Sequence, residues 1–583
     1  MSSSVAQPII KQIGDNREAL DFFEKELLPK ENEKTQEIIA NFPTVYIHNW
    51  KESGNYEVYV GESNHIFKRT HQHYDVALDD SQWQSKLLKK DARLFIIGHE
   101  HFNKSLTLDI ENRLMHYMMG VESVKHVYNL RYNPQASYYP MEELDEIFNK
   151  IWRGLRKENK DLFPTESAIK DSAIYKASPL HKLTREQEDA RELIIYKVSK
   201  ALESEDSKKQ LIFIDGEAGT GKTVLNSSTF YELYCQAEEN KREFKCYLLV
   251  NHDEQITVYK QIADKLGLTK KHEKVVSKPT TFINNHSADD PVDVVFVDEA
   301  HLLLTQGQQS YRGENQLKDI MERAHVTVVM FDENQILTTK QFWEAQILEK
   351  YRNQAKLANT HIVLNKQLRM QADSQTMDWI DSFTKEGKIK KIPNTLGGYS
   401  IKIFDKPEDL DVEIQKKAKE NDSALSRIIA TYDWEYNQNR KPRVMKYWEV
   451  LIGNWHKPWN RQLKSELSPK EKRKIKGLAW AEQPQTINEI GSTFTIQGFD
   501  LNYAGVILGP SVKYRDGKVI FDPTASHNEK AVQNRTLSDG TKQKFGEMLI
   551  QHEVRVLMTR GVNGMYIYAC DSELRAALLE ASR

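Results

Sequence analysis

Two stretches of alternating apolar and polar residues lie near the start of the chain. The segments TVYIHNW (44–50) and YEVYVGES (56–63) are separated by Gly54-Asn55, and this pattern predicts two strands joined as a hairpin. The elements predicted after the hairpin are a helix at 66–74, a strand at 93–98 and a helix at 106–119. We therefore expect a compact α/β unit that ends near Pro134.

Continuous apolar runs replace this alternation beyond Leu180. The runs are LIFID (211–215), CYLLV (246–250), VVFVD (294–298) and VTVVMF (326–331), with longer helical stretches between them. Strands that are apolar throughout are buried on both faces, as in a parallel sheet covered by helices. The sequence therefore predicts an α/β protein in which a small N-terminal unit precedes a larger parallel-sheet region.

Helical segments flank the small unit on both sides. Apolar residues recur at helical spacing before Pro29, so residues 1–40 are predicted to form a helical extension. The same spacing follows Pro140, and a polar stretch comes after it. We therefore assign residues 41–135 to the α/β unit and residues 136–179 to a helical linker.

Charge, cysteine content and apolar runs argue against several classes of protein, such as disulfide-rich, secreted and membrane-spanning proteins. The 82 basic and 84 acidic residues leave a net charge of −2, so any nucleic-acid surface must be a local basic patch. The three cysteines are far apart in the sequence, which argues against a disulfide framework or a thiolate zinc site. The first residues do not read as a secretion signal, and no apolar run approaches the ~20 residues of a bilayer span. We therefore expect a cytoplasmic protein without a membrane partner.

The segment GEAGTGKT follows the predicted strand LIFID and precedes a helical stretch. In such a loop the glycines Gly216, Gly219 and Gly221 let backbone N–H groups surround phosphates. Lys222 then reaches the β- and γ-phosphates, and the Thr223 hydroxyl binds Mg²⁺. This spacing predicts an ATP site.

A second motif, which is acidic, supports the prediction of an ATP site. The run VVFVDEAH is a predicted strand that ends in Asp298 and Glu299. A carboxylate at such a strand end binds the metal, and its neighbour polarises the attacking water. We therefore expect Asp298 to bind Mg²⁺ and Glu299 to act on water.

Over about 400 residues, the chain resembles superfamily 1 helicases and more closely the Schlafen-like helicases. The resemblance rests on Gln187 in LTREQ, Asp332 and Gln335 in VVMFDENQ, Arg369 in NKQLRM, Gln497 and Gly498 in TIQGFD, and Arg560 in VRVLMTRG. It implies two RecA-like lobes, at 180–375 and 376–583, with ATP and Mg²⁺ as cofactors. It further implies that Gln187 reads the adenine and that Asp332 and Gln335 sense the γ-phosphate. Arg369 and Arg560 would stabilise the transition state.

The N-terminal unit resembles the GIY-YIG nucleases over about 90 residues. The matching residues are Tyr46 in TVY, Tyr59 and Gly61 in YVG, Arg69 and His73 on the following helix, Glu111 in DIENRL, and Asn129 in VYNLRYN, for which Asn133 is a rival. The resemblance implies that Glu111 binds a metal and that Arg69 contacts the phosphate. Tyr46 and Tyr59 would orient or deprotonate water, and His73 is an alternative proton acceptor.

Several polar and aromatic residues carry weaker signals. Five histidines (65, 71, 73, 99 and 101) raise a zinc alternative, although cysteine or spaced carboxylate companions are absent. The basic run KEKRKIK (470–476) fits either a phosphate contact or a solvated loop. Tryptophans 434, 448, 455, 459 and 480 fit mainly packing, with base stacking as the alternative.

These features together predict an ATP-dependent nucleic-acid translocase or helicase fused to a metal-dependent endonuclease. DNA is favoured over RNA as the partner, and the oligomeric state is left open. By analogy of architecture, such a fusion is typical of antiphage defence, with DNA repair as the near alternative. A different class of function is an ATP-gated nucleic-acid sensor whose N-terminal unit only binds.

Overall fold

The computed structural model describes residues 5–76, 83–129, 138–203, 209–240, 243–268, 275–307, 311–366, 368, 370, 374–393, 398–420, 425–496 and 498–583. The chain divides into two compact units. The first comprises Met1–Lys182 and Val258–Val275, and the second comprises Leu183–Thr257 and Val276–Arg583. None of the described helices is both long and apolar enough to cross a membrane.

The first unit is built on a mixed five-stranded sheet. Its strands and helices are β1 (Ile9–Gly14), α1 (Arg17–Phe22), α2 (Glu33–Asn41), β2 (Thr44–Glu52), β3 (Asn55–Ser63), α3 (Ile66–Val76), β4 (Arg93–Gly98), α4 (Lys104–Gly120), β5 (Val124–Tyr128), α5 (Leu144–Glu158), α6 (Glu166–Asp171) and α7 (Ala173–Lys176). The strand order is β1-β4-β2-β3-β5. Within this described sheet, the β3–β5 pair is parallel and the other pairs are antiparallel.

The central hairpin forms where the alternating pattern predicts it. β2 and β3 pair in antiparallel register from Thr44 opposite Ser63 to Glu52 opposite Asn55. The two turn residues are Ser53 and Gly54, with φ of 51° and 87°. Two-residue hairpin turns with positive φ at both positions match the twist of the strands. The turn therefore lies one residue earlier than the Gly54-Asn55 pair that we predicted.

Both flanking segments contain the predicted helices, but both also belong to the first unit. The supposed helical extension contributes Ile9–Gly14 as an edge strand, paired antiparallel with Arg93–Gly98. The supposed linker packs into the first unit over its described residues. Trp152 on α5 is 1% exposed and contacts Phe163 and Tyr117 edge to face, at centroid distances of 5.3 and 5.0 Å. Buried aromatic contacts of this kind make the segment part of the core.

The second unit begins with a six-stranded parallel sheet. The elements of this first lobe are α8 (Arg185–Glu203), β6 (Gln210–Gly216), α9 (Lys222–Glu239), β7 (Cys246–Leu249), α10 (Asp253–Lys265), β8 (Val276–Ser277), α11 (Pro279–Asn285), β9 (Val292–Val297), α12 (Gln316–Met321), β10 (Ala324–Phe331), α13 (Ala345–Leu357) and β11 (His361–Leu364). The strand order is β11-β6-β10-β9-β7-β8. The last residues of α10 fall in the first unit.

A second lobe follows, with a four-stranded parallel sheet. Its elements are α14 (Ser374–Thr384), β12 (Ser400–Ile403), α15 (Pro407–Lys419), β13 (Arg427–Ala430), β14 (Glu449–Ile452), β15 (Trp455–Pro458), α16 (Pro469–Lys474), α17 (Thr493–Ile496), β16 (Leu501–Leu508), β17 (Val512–Arg515), β18 (Lys518–Phe521), α18 (Glu529–Val532), β19 (Arg535–Thr536), β20 (Lys542–Gln543), α19 (Gly546–Met558), β21 (Gly561–Ala569) and α20 (Ser572–Ala581). The sheet order is β12-β21-β16-β13. We call residues 431–492, between β13 and α17, the insertion.

The parallel strands explain where polar side chains collect. Ile212, Val295 and Val328 on the central strands are fully buried, as expected for a sheet covered on both faces. In a parallel sheet the carboxyl ends of all strands lie at one edge. The loops after β6, β9 and β10 therefore converge there, and they carry the predicted ATP-site residues.

A substitution at Trp152 tests whether the former linker belongs to the first core. Trp152→Ala is expected to lower the free energy of unfolding of the first unit by about 3–5 kcal/mol, because it leaves a large cavity and removes the indole bond to Pro164 O. Hydrogen exchange of the β2 and β4 amides measures this locally. Arg153→Ala, at the exposed neighbouring position, is the control. Equal exchange in the two variants would contradict the assignment.

Candidate functional site

The loop between β6 and α9 requires glycine because of its backbone conformation and its close contacts. Gly219 and Gly221 have φ of 89° and 79°. A Cβ on Gly221 would lie 2.1 Å from Gln187 Nε2, and a Cβ on Gly216 would lie 2.6 Å from Thr220 Oγ1. Glycine is favoured where φ is positive or where another group approaches closely. The loop is therefore curled as phosphate binding demands.

Gln187 fixes this loop from the start of α8. Its Nε2 donates to Thr220 O at 3.2 Å, and its Oε1 accepts from Thr184 N at 2.9 Å. Leu368 N closes the other side by donating to Gly219 O at 2.7 Å. The predicted adenine-reading residue thus lies directly against the phosphate loop.

Lys222 and Thr223 occupy the first turn of α9. The Lys222 ammonium donates to Gly216 O at 2.6 Å and Glu217 O at 2.9 Å, and lies 3.5 Å from Asp332 Oδ2. Thr223 Oγ1 donates to Asp298 Oδ2 at 3.3 Å. A buried ammonium inside a curled loop suits phosphate, and a hydroxyl beside a carboxylate suits Mg²⁺. These residues fit ATP and Mg²⁺.

Glu299 is held in a strained conformation. Its φ of 48° and ψ of 49° are left-handed, which a residue with a side chain rarely adopts. Its backbone N–H donates to Asp298 Oδ1 at 3.0 Å. Burial raises the pKa of Glu299, but the neighbouring His301, Lys222 and Arg560 lower it by more, so the net pKa is below its usual value. The carboxylate is therefore ionised and able to accept a proton from water.

A hydrogen-bonded chain joins the two lobes at this edge. Arg560 Nη2 donates to Gln335 Oε1 at 2.8 Å, and Gln335 Nε2 donates to Asp332 Oδ2 at 2.8 Å. Lys222 lies at the far end of the chain. The structure thus brings the predicted motif residues of both lobes together. The predicted Arg369, like Gln497, lies outside the described residues.

Arg555, which the sequence analysis did not select, also reaches the phosphate loop from α19. Its Nη2 donates to Glu217 Oε2 at 2.7 Å, and its Nη1 binds Asp381. Lys385 joins the same cluster, with Nζ 3.2 Å from Glu217 Oε1. Arg555 lies five residues before Arg560, in the same motif VRVLMTRG. Its position in that motif is the sequence feature that could have pointed to it.

Gln255, near the start of α10, was also missed. Its Nε2 donates to Glu299 Oε1 at 3.2 Å, whereas its Oε1 is buried without a hydrogen-bond partner among the described residues. A Cβ on Gly498 would lie 2.5 Å from Gln255 Nε2. Gln255 therefore holds the Glu299 carboxylate, which is predicted to act on water, and it packs against the glycine of a second-lobe motif.

A cavity of about 760 Å³ opens beside the phosphate loop. Its polar lining includes Asp215, Glu217, Asp332, Arg352, Asp378 and His552. This volume is typical of sites that hold small molecules.

In the first unit, Tyr46 and Gly61 face each other on the central hairpin. They are directly paired, and a Cβ on Gly61 would lie 2.5 Å from the Tyr46 hydroxyl oxygen. Only glycine leaves room for the ring. Tyr59 stacks near Tyr46 at a centroid distance of 6.2 Å. The two predicted tyrosines therefore lie side by side.

His73, the predicted alternative proton acceptor, lies within hydrogen-bond distance of Tyr46. Its Nε2 lies 3.1 Å from the Tyr46 hydroxyl. Burial, followed by the charges of His48 and Arg69, lowers the pKa of His73 to about 3, so the ring is neutral near pH 7. Burial raises the pKa of Tyr46, and Arg69 acts in the opposite direction. A neutral imidazole and a protonated phenol share one hydrogen bond here, and the tautomer of His73 sets which group donates.

Arg69 lies on α3 beside the two tyrosines. Its Nη1 donates to Gln72 Oε1 at 3.3 Å. Burial raises the pKa of Tyr59, and the charge of Arg69 opposes that rise, as it does at Tyr46. The predicted phosphate cation therefore belongs to the same cluster as the predicted tyrosines.

Glu111 and Asn129 are also brought together. Asn129 Nδ2 donates to Glu111 Oε1 at 2.9 Å and to Val60 O at 2.8 Å. Asn129 has a φ of 65°, a conformation that asparagine tolerates better than most residues. A single carboxylate of this kind suits Mg²⁺, which keeps several waters when bound. The rival Asn133 lies outside the described residues.

His48 and Asp15 form a pair that the sequence did not reveal. His48 Nδ1 lies 2.7 Å from Asp15 Oδ2, and Tyr74 donates its hydroxyl to Asp15 Oδ1 at 2.9 Å. The His48 ring contacts those of Tyr46 and His73, at centroid distances of 5.3 and 5.4 Å. Asp15 is distant in sequence, so no local pattern links it to this cluster.

The zinc alternative finds little support in the described residues. The group of possible ligands there is Asp21, Glu24 and His71, whose ligand atoms lie within 4.8 Å of one another. The other four histidines of that alternative are not part of it. His73 is engaged with Tyr46, and His101 with Glu143.

Comparisons with known proteins match a large part of this chain. The model of the Schlafen group 3, DNA/RNA helicase domain matches residues 209–571. Uncharacterized protein YPL245W of Saccharomyces cerevisiae is 32% identical over 468 residues, which is 74% of this chain and 98% of the yeast protein.

Two solved structures align more loosely. The Pif1 helicase from Candida albicans is 12% identical, with 68% of this chain and 97% of that chain covered and a TM-score of 0.26. Drosophila ORC bound to DNA is 14% identical, with 41% and 52% covered and a TM-score of 0.19. Scores this low support no conclusion about function.

Gln255→Leu tests whether this side chain positions Glu299. The substitution keeps the volume but removes a hydrogen bond to a charged group, so the rate of ATP hydrolysis is expected to fall about tenfold or more. The affinity for ATP is expected to change by less than about twofold, because the bond that is lost goes to Glu299 and not to the phosphate loop. Thr257→Val on the same helix removes only a bond to backbone O and is the control. An unchanged rate in Gln255→Leu would contradict the role.

Proposed function

Because the chain belongs to the Schlafen group 3 DNA/RNA helicase domain family, we propose that its second unit is an ATP-dependent helicase or translocase that acts on nucleic acid. DNA is the preferred partner in this proposal. The observation that carries it is the chain of hydrogen bonds from Arg560 through Gln335 and Asp332 toward Lys222. It links a second-lobe arginine to the first-lobe phosphate site. Relative movement of the two lobes would therefore change the hydrogen bonds at that site.

Each residue at this edge has a distinct task in the proposal. Lys222 and the loop N–H groups bind the phosphates, and Thr223 with Asp298 would hold Mg²⁺. Mg²⁺, when bound, supplies positive charge that neutralises the phosphate oxygens. Glu299 accepts a proton from water, with Gln255 fixing its orientation. Arg560 stabilises negative charge that develops when the lobes are closed.

Two substitutions separate binding from turnover. Lys222→Ala is expected to abolish ATP hydrolysis and weaken ATP binding, because the phosphate cation is lost. Glu299→Gln is expected to bind ATP normally but hydrolyse it about 10²-fold more slowly or worse, because the amide cannot accept a proton. Binding of a fluorescent ATP analogue and release of phosphate measure the two steps.

The control for this pair is Lys419→Ala, which removes an exposed lysine at the end of α15. Near-normal hydrolysis by either site variant would contradict the assignment of this edge as the ATP site.

We also propose that the first unit is a metal-dependent endonuclease of the GIY-YIG type. Two contacts favour it: Tyr46 is hydrogen-bonded to His73, and Asn129 is hydrogen-bonded to Glu111. In this proposal Tyr46 and Tyr59 orient the attacking water, and the neutral His73 ring is the alternative acceptor of its proton. Arg69, on α3, neutralises the phosphate, and Glu111 would hold the metal.

Glu111→Gln is expected to reduce cleavage of DNA by about 10² or more, because the metal carboxylate is lost. ATP hydrolysis is expected to survive, because the ATP-site residues all belong to the second unit. Plasmid nicking and phosphate release, measured on the same preparation with Mg²⁺, test whether cleavage is lost while ATP hydrolysis is kept. Glu33→Gln, at an exposed position of the first unit, is the control.

If Glu111→Gln cut DNA at the wild-type rate, the nuclease proposal would fail. The sensor hypothesis, with an N-terminal unit that only binds nucleic acid, would then be preferred. A cytoplasmic location and a role in antiphage defence stay predictions from the sequence.

A further inference from the structure

The insertion differs in charge from the rest of the chain. Residues 439–476 contain twelve Lys or Arg and three Glu, so this stretch has a net charge of +9. The whole chain has a net charge of −2, which leaves −11 for all other residues. Like charges that are concentrated this way repel one another unless a partner of opposite charge is bound.

Most of these cations have no ion-pair partner among the described residues. Three of them form ion pairs, namely Lys446 with Glu466, Lys457 with Asp411 and Arg461 with Glu254. The other nine are exposed, and no described carboxylate lies within ion-pair distance of any of them. They are Arg440, Lys441, Arg443, Lys464, Lys470, Lys472, Arg473, Lys474 and Lys476. Ion pairing within the protein therefore does not account for the excess charge.

Two basic runs lie next to each other in this insertion. The run 440–446 is tied to the segment 462–466 by the Lys446–Glu466 pair and by Trp448 N, which lies 3.4 Å from Gln462 Oε1. The run 470–476 contacts the same segment through Lys472 Nζ, which donates to Ser465 O at 3.3 Å. The two runs therefore flank one short segment and form a continuous basic surface.

Apolar and aromatic groups accompany these cations. Val444 is 96% exposed, and Leu451 is 51% exposed. The rings of Trp434 and Trp448 stay half-exposed, and their indole N–H groups are bound to Leu451 O and Asn437 O. The other three tryptophans of the insertion are buried and pack in the core, namely Trp455, Trp459 and Trp480. Cations without an ion-pair partner, together with half-exposed rings, are the features of a surface that binds a nucleic-acid strand.

We propose that this surface, residues 440–446 and 470–476, binds the sugar-phosphate backbone of a single nucleic-acid strand. The inference rests on the proposed function of the second unit, and it names where the substrate is held. Contacts to phosphate alone would treat DNA and RNA alike, whereas contacts to sugar or bases would separate them.

The surface is connected to the catalytic edge. Arg461 of the insertion pairs with Glu254, and Trp480 N lies 3.4 Å from Glu254 Oε2. The next residue, Gln255, donates to Glu299. The insertion therefore holds the residue that precedes Gln255, and a strand bound there is expected to change the rate of ATP hydrolysis.

Three triple variants of the full chain test the surface. Two remove charges from it, Arg440→Gln/Lys441→Gln/Arg443→Gln and Lys470→Gln/Lys472→Gln/Lys474→Gln. The matched control, Lys390→Gln/Lys391→Gln/Lys518→Gln, removes three exposed lysines elsewhere on the second lobe. Binding to labelled oligo-dT and oligo-U is measured by fluorescence anisotropy between about 50 and 300 mM KCl.

Each surface variant is expected to bind at least about tenfold more weakly at about 100 mM salt, because three phosphate contacts are lost. The slope of log K against log salt is expected to shrink by about 2 units, since each contact to a single strand contributes about 0.7. The control is expected to stay within about twofold of wild type. Basal ATP hydrolysis is expected to be unchanged in all three, whereas its stimulation by oligonucleotide falls in the surface variants only.

Surface variants that bind like the control would overturn the proposal while leaving the helicase function intact. Wild-type protein that binds neither oligonucleotide would instead contradict the proposed function itself. Binding to vesicles of phosphatidylcholine and phosphatidylserine in equal amounts is measured for the same proteins. Binding to vesicles but not to oligonucleotides, lost in the surface variants, would assign the surface to an anionic membrane and overturn the proposal.

Discussion

The fully buried guanidinium of Arg560 is the constraint on which the second unit depends. An arginine stays charged at any pH that a protein experiences, and burying that charge without acceptors costs several kcal/mol. Arg560 is 0% exposed, and its donors reach Gln335 Oε1, Val556 O and Phe499 O. Gln335 belongs to the first lobe and the other two acceptors to the second. The two lobes must therefore close on each other for this charge to be satisfied.

Buried charge also organises the rest of the edge. Asp332 and Glu299 are buried carboxylates, and Lys222 lies close to both. Burial raises the pKa of Asp332, but Lys222 and His301 lower it by more, so it stays ionised. Charges that balance in this way are sensitive to the arrival of a further anion. In the proposed function, a phosphate at the loop would compete with Asp332 for Lys222, and Asp332 is linked through Gln335 to Arg560.

In the first unit, packing rather than charge sets the geometry. The ring of Tyr46 lies over Gly61, where any side chain would collide. This contact fixes the tyrosine beside His73, and the Asp15–His48 pair fills the space next to it. The cluster is therefore held in place by neighbours from three parts of the chain before any substrate is bound. Such preorganisation is what a catalytic site requires.

Local features of the sequence determined the phosphate loop and the strands of the parallel sheet. Only the tertiary structure decided the contacts between distant segments. The glycines of the phosphate loop and the apolar runs of the parallel sheet depend on neighbours a few residues away, so LIFID and VVFVD form strands where they were predicted. No local pattern shows that Gln255 reaches Glu299 or that the segment Ile9–Gly14 forms an edge strand. Periodicity reports which face of an element is buried, but the partner that covers this face is set by the fold.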